Sequence, residues 1–196
     1  MITRVYISHS EQDSSLAQEL EHVLWVVNLE SFSSLFKKTD SLSDAELISF
    51  GIRHSDCVIV ILTMDGILSP RVNQEIGLAV GTDQLIIPLL EYGEKLPALI
   101  SHLPSIGFSR DTYEDALGVV IKDIRQLTKL DWLKIKCPHC GEEMTQYITP
   151  QEEVEKVLLE GTDLKTMCSY CENTVFLDPR TFIPRSAESS SHEHSD

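Results

Sequence analysis

Apolar and β-branched residues fill the stretch Cys57-Val58-Ile59-Val60-Ile61-Leu62-Thr63 without interruption, as in a strand covered on both faces. The pattern then changes period. Ser69 suits an N-cap and Pro70 a first helical turn, and Val72, Ile76, Ala79 and Val80 follow at helical spacing as a core-facing stripe. At about 100° per residue, Glu75 lies about 85° from the centre of that stripe, on the border between packed and open surface, where a carboxylate can face a crevice. Upstream, Arg4-Val5-Tyr6-Ile7-Ser8 reads as a strand and His9 to Gln12 as a polar turn. Asp13 to Val27 reads as an amphipathic helix with Leu16, Leu20, Val23, Leu24 and Val27 inward.

The alternation continues. Glu30 to Phe36 is a weaker strand, Lys37 to Ser43 a polar loop and Asp44 to Arg53 a helix. Leu85 to Leu90 is a strand whose Pro88 places a strand end or edge nearby. A short helical piece at Lys95 to His102, a strand at Ile106 to Phe108 and a last helix from Thr112 to Leu127 complete the series. Strands alternating with helices predict an α/β architecture.

Composition shifts near Lys129. Four of the five cysteines fall in two Cys-x-x-Cys pairs, Cys137 with Cys140 and Cys168 with Cys171, separated by 27 residues. A two-residue gap turns both sulfurs of a pair inward, so two such knuckles supply a tetrahedral four-sulfur Zn²⁺ site. This segment resembles a zinc ribbon, with flanking strands at Glu143 to Thr149 and Thr174 to Asp178 and a short amphipathic helix within Pro150 to Gly161. A site closed by four thiolates has no open position, so the metal is expected to be structural and His139 a bystander. A redox dithiol is the other reading of the pairs. Cys57, at the head of an apolar strand, reads as a small core thiol.

The opening Val5-Tyr6-Ile7-Ser8-His9-Ser10, the Asp13 after it, and the helix from Ser69-Pro70 through Gln74-Glu75-Ile76-Gly77 together resemble the Toll/interleukin receptor (TIR) domains of microbes. The resemblance covers about residues 1–128 and implies a flavodoxin-like sheet of five parallel strands. The expected organisation is therefore a TIR domain at 1–128, a linker at 129–136, a zinc ribbon at 137–183 and a disordered tail at 184–196. In enzymatic TIR domains the glutamate on this helix breaks the nicotinamide–ribose bond of NAD⁺, and the resemblance assigns that role to Glu75. At the topological switch point of such a sheet, Ser8, His9 and Ser10 at the end of the first strand are the expected substrate-binding residues, with Tyr6, or an aromatic near Phe32 to Phe36, stacking on a base or on nicotinamide. The products would be nicotinamide with ADP-ribose or a cyclised nucleotide, in defence or stress signalling, and self-association is implied as well.

Spacing alone offers a plainer reading of Glu75, an exposed i,i+4 ion pair with Arg71. Arg71 also departs from the resemblance, since many active relatives carry tryptophan directly after Ser-Pro. The loop 37–43 lacks the Pro-Gly often found there. Tyr6 and His9 equally suit a core tyrosine and a satisfied turn histidine. A noncatalytic adaptor built on TIR contacts and a ribbon docking surface is the alternative function.

Charge excludes one class. The chain carries 16 Lys and Arg against 31 Asp and Glu, a net charge of −15. Residues 137–196 alone hold four basic against twelve acidic groups, before the added charge of a metal tetrathiolate. A phosphate backbone would be repelled, so a protein partner is expected for the ribbon rather than nucleic acid. No run is long enough for a membrane span, and the amino terminus lacks the layout of a signal peptide. Cytoplasmic residence is the expectation.

Overall fold

The computed structural model describes residues 2–33, 35, 43–127 and 132–185. The chain divides into two compact units, one of residues 1–25 and 29–129, the other of 130–196 with 26–28.

In the first unit, strand β1 (Arg4–Ser8), helix α1 (Ser14–Val26), β2 (Glu30–Phe32), α2 (Asp44–Arg53) and β3 (Cys57–Leu62) come first. They are followed by α3 (Met64–Leu68), α4 (Pro70–Gly81), β4 (Leu85–Glu91), β5 (Ile106–Phe108) and α5 (Tyr113–Leu127). The five strands are all parallel, in the order β2-β1-β3-β4-β5. This is the flavodoxin-like order, in which the chain runs outward in both directions from the β1/β3 boundary.

Every residue of β3 is buried, as its β-branched run predicted. Val58, Val60 and Leu62 pack with Tyr6, Ile52, Val72, Ile76 and Ala79 on the face covered by α2 and α4. The alternating residues Ile59 and Ile61 are equally buried, with Val5, Ile7 and Leu89, as a sheet covered on both faces requires. On α1, Leu16, Leu20, Val23 and Leu24 are buried as expected, with Val27 just beyond the helix. Helix α2 begins where Ser43 and Glu46 form a reciprocal capping box. It lies close on the sheet at Gly51, where a Cβ would stand 2.5 Å from the Phe32 ring and 2.7 Å from that of Tyr6.

Pro88 sits within a central strand. The β4–β5 pairing begins only at Leu89, so up to Pro88 that side of β4 is an edge and the missing N–H leaves no gap there. Two boundaries differ from expectation. The second strand ends at Phe32 rather than Phe36, and most of the expected loop 37–43 lies outside the described residues. The piece expected at 95–102 is a 3₁₀ turn at Ala98–Ile100.

The second unit is made of β6 (Trp132–Lys136), β7 (Glu143–Tyr147), α6 (Gln151–Glu160), β8 (Leu164–Met167) and β9 (Thr174–Leu177). β6 pairs antiparallel with β7, and β8 with β9. Residues 132–136, expected as linker, are thus a strand, because Leu133 and Ile135 alternate with Lys134 and Lys136 and bury their side of a hairpin. Gly161 ends α6 in the left-handed conformation, which glycine adopts without steric cost.

Pro184 and Arg185, expected within the tail, belong to this unit. Pro184 bridges to Leu177, and the Arg185 N–H donates to the Phe176 carbonyl at 2.9 Å. The tail from 186 onward lies outside the described residues.

Asp178 organises this end of the unit. Its carboxylate accepts from the Arg180 and Thr181 backbone N–H groups and from the Arg180 and Arg185 side chains. Burial pushes its carboxyl upward, but the arginine hydrogen bonds outweigh this and hold it well below the ordinary carboxylate range. Because its folded value is depressed, its contribution is complete above the ordinary carboxylate range and is lost as the pH falls below about 4. Asp178→Ala is expected to lower the stability of the second unit by about 2–3 kcal/mol, by removing a buried partner of two half-exposed guanidinium groups. Chemical denaturation of wild type and variant at pH 7 checks the loss.

Candidate functional site

Helix α4 begins as its sequence suggests, with the Ser69 hydroxyl accepting from the Val72 N–H and Pro70 in the first turn. Its buried stripe is Val72, Glu75, Ile76 and Ala79, while Val80 is partly exposed. The helix is therefore turned so that the carboxylate, not the last valine, faces the sheet. A buried carboxylate is costly unless its oxygens are satisfied. Glu75 is 2% exposed, and β1 satisfies it: the Tyr6 hydroxyl donates to Oε1 at 2.8 Å and the Ser8 hydroxyl to Oε2 at 2.5 Å. Arg71 Nε reaches Oε1 at 3.3 Å, and its Nη1 lies 3.6 Å from Asp44 Oδ2 at the start of α2. The i,i+4 pair with Arg71 exists, but on a buried face rather than an exposed one.

Ser8 is the last residue of β1 and pairs with Val60 of β3, so this carboxylate stands at the carboxyl end of the sheet on the β1/β3 boundary. Ligands of open α/β sheets bind at such a boundary. Chemically, a carboxylate held by hydroxyl groups can accept hydrogen bonds from a polyol or face a developing cation.

Of the residues singled out at the end of β1, Tyr6 and Ser8 meet Glu75. His9 and Ser10 make other contacts. His9 is buried, with Nδ1 2.7 Å from the Ser10 carbonyl oxygen and Nε2 3.0 Å from the Ser33 hydroxyl. Ser10 donates to Asp13 Oδ2 at 2.6 Å, and Thr63, at the end of β3, donates to the same oxygen at 2.8 Å. Sequence reasoning noted Asp13 but missed Thr63, whose partner is 50 residues away. Arg110 approaches the other Asp13 oxygen at 3.8 Å.

Burial lowers the His9 pKa, against the raising influence of the Ser10 carbonyl, Glu75 and Asp13. The folded state therefore favours the neutral ring. Protonation favours unfolding, so stability falls as the pH drops through about 6.5, the value of an unperturbed histidine, towards the lower folded value. Thermal melts of wild type and His9→Gln between pH 8 and pH 5 should diverge, with the variant losing less on acidification.

Cys57 is buried at the base of β3, and burial pushes its thiol up to about 12. It is a core residue, not a nucleophile.

In the second unit the four remaining cysteines converge. Their sulfurs all lie within 4.8 Å of one another, with Cys137 to Cys171 at 3.8 Å and Cys140 to Cys168 at 3.7 Å. These separations exceed a disulfide bond of about 2.05 Å. Four sulfurs each about 2.3 Å from a common centre stand about 3.8 Å apart, so the cluster fits a tetrahedral metal ion.

Two matching knuckles build it. The Gly141 N–H donates to the Cys137 carbonyl and the Glu172 N–H to that of Cys168, and both turns pass through the left-handed region at Gly141 and Glu172. Backbone hydrogen bonds from Cys171 and Tyr170 bring the Cys168 thiol down to about 6. The Glu142 N–H favours the Cys140 thiolate, but desolvation and the other three cysteines push that thiol up to about 12. The second charge is opposed by the first, and a cation at the centre removes that opposition. His139 sits inside the first knuckle and is not part of this cluster.

The first unit is thus a doubly wound domain with a buried carboxylate at its strand ends. The model of the TIR domain family matches residues 5–121, and the chain belongs to that family. Among solved structures it resembles the TIR domain of the Toll-related receptor TRR-2 from Hydra magnipapillata at 20% identity, over 64% of this chain and 99% of that one, with a TM-score of 0.53. It also resembles the TIR domains of the activated Roq1 resistosome, a complex that directly recognises the effector XopQ, at 10% identity. That match covers 62% of this chain and 99% of the other, with a TM-score of 0.54. At these identities the likeness concerns the fold. No curated protein matches the chain. No helix among the described residues is long and apolar enough to cross a membrane.

Proposed function

We propose that the TIR unit cleaves the nicotinamide–ribose bond of NAD⁺, with Glu75 as the catalytic carboxylate. The observation that carries this reading is the buried Glu75 carboxylate held by Tyr6 and Ser8 at the carboxyl end of a parallel sheet. Nicotinamide leaves NAD⁺ without an acid. As the bond between its ring nitrogen and ribose C1′ breaks, the electron pair neutralises the pyridinium, and the positive charge passes to the sugar. A single carboxylate then suffices to anchor ribose hydroxyls and stabilise the oxocarbenium-like transition state. Water attacking C1′ and losing a proton gives ADP-ribose, whereas an adenine nitrogen gives the cyclic nucleotide. Tyr6 and Ser8 hold the carboxylate, while His9 and Ser10 line the turn where the substrate would lie.

Assembly of TIR units is part of this reading, supported by the resistosome among the similar structures. In the second unit, Cys137, Cys140, Cys168 and Cys171 would hold a structural Zn²⁺, because thiolate donors at tetrahedral spacing suit that ion. Exposed Tyr147, Leu159 and Met167 on an acidic unit support a protein partner there. Purified protein, concentrated or assembled, should release nicotinamide from NAD⁺, and mass spectrometry of the other product distinguishes hydrolysis from cyclisation. If every assembled state is inactive yet recruits a partner, a noncatalytic adaptor replaces the enzyme.

A further inference from the structure

We propose that Arg71 is a displaceable ionic latch on Glu75, so that a nucleotide's ribose hydroxyls reach the carboxylate by replacing its guanidinium. This rests on the reading of Glu75 as the group that binds the ribose. At 2% exposure, Glu75 offers no open face to a ligand, and the Tyr6, Ser8 and Arg71 donors already sit on its oxygens. Something must leave before a sugar can bind.

The three donors differ in how they are held. Tyr6 and Ser8 are fully buried and sit on β1, whose register against β3 pairs Tyr6 with Val58 and Ser8 with Val60, so moving either means moving the sheet. Arg71 is 24% exposed, hangs on a long flexible side chain and makes the longest of the three bonds, at 3.3 Å. Its Nη1 lies 3.6 Å from Asp44 Oδ2, on a residue that is itself 69% exposed. The guanidinium is therefore the donor that can swing outward, with a carboxylate beside its path to receive it.

Charge points the same way. A guanidinium on Glu75 occupies the place where positive charge develops on the sugar, and it repels the pyridinium of an incoming NAD⁺. Its departure both opens the carboxylate and restores a net negative site. The latch thus sets the fraction of protein able to bind, and apparent affinity scales with that fraction.

The test is calorimetric titration with carba-NAD⁺, whose carbocycle keeps the hydroxyls and the pyridinium charge but is not cleaved, alongside nicotinamide release from NAD⁺. Arg71→Met retains the packing of the stem and removes the charge. With the open form at about a tenth of the population, this variant should bind about tenfold more tightly than wild type and show a lower KM with kcat little changed. Arg71→Lys, which keeps a cation in reach, should fall between them. Tighter binding with no turnover in any protein would leave the latch standing and remove the catalytic reading. Equal or weaker binding by Arg71→Met, or none by either protein, overturns the latch, weaker binding meaning that the guanidinium holds the ligand instead. Should Arg71→Met fail to fold, Asp44→Asn removes the outward partner and should weaken binding about twofold, and unchanged affinity then overturns the proposal.

Discussion

Removal of the metal by a chelator, or Cys168→Ser, is expected to unfold residues 132–185 while leaving the parallel-sheet unit folded. Among its described residues the second unit has two two-stranded sheets, and a two-stranded hairpin is marginal in water by itself. Its buried apolar set, centred on Leu133, Ile135, Met144, Val154, Leu164, Val175 and Leu177, is that of a very small domain. Structural Zn²⁺ contributes about 10–16 kcal/mol to folding in comparable finger peptides, far more than such a core leaves after chain entropy is opposed. Cys168 is the informative position because it is buried and backbone N–H groups favour its thiolate. Metal analysis should find close to one zinc per chain in wild type and a small fraction of that in Cys137→Ser and Cys168→Ser. Hydrogen exchange should show protection lost across 132–185 and retained in β3. Unchanged zinc content in both variants would refute the ligand set, and retained protection without metal would refute the folding role.

Glu75→Gln is expected to reduce nicotinamide release by at least about 100-fold, the scale on which a single electrostatic contact to a developing charge acts. The amide fills the same volume. Its carbonyl oxygen can accept from one of the two β1 hydroxyls, while its NH₂ faces the other, which must rotate to accept. The fold should survive with a modest stability loss, of about 1–3 kcal/mol, as for one mismatched buried hydrogen bond. Tyr6→Phe, which removes one donor and leaves the carboxylate in place, should lower the rate by about tenfold, the equivalent of one ordinary hydrogen bond. Rates and thermal melts on the same preparations separate a catalytic carboxylate from a structural one. Turnover by Glu75→Gln at the wild-type rate would eliminate the proposed mechanism.

Much of the architecture was legible because the local patterns were long and unmixed. The β3 run, the Ser69-Pro70 helix start and the Leu16 to Val27 stripe each repeat one period over enough residues to identify the element. Helix α3 was missed because five residues make little more than one turn, too short for a period to show. Strand β6 was readable in principle, since Leu133 and Ile135 alternate with two lysines, but it lay in a stretch where composition suggested a linker. Strand β8, Leu164–Met167, is similarly short, and its register comes from pairing with β9. The cysteine pairs were legible because the spacing within each knuckle is a local matter. Asp178 was not, although Arg180 and Thr181 are two and three residues away, because its burial comes from the packing of the whole unit.

Sequence by itself thus determined the alternation of strands and helices, the two cysteine knuckles and the presence of one carboxylate on the helix after Ser69-Pro70. It determined these because each depends on residues a few positions apart, within reach of one helical turn or one tight bend. Only the tertiary structure decided that Glu75 is buried, that Tyr6 and Ser8, 69 and 67 residues away, supply its hydrogen bonds, and that Asp44 stands beside the Arg71 guanidinium. It also decided that the four sulfurs converge within 4.8 Å. Those facts depend on the rotation of α4 about its axis and on parallel strand pairing, and both come from burying apolar surface across the whole unit rather than from any single segment.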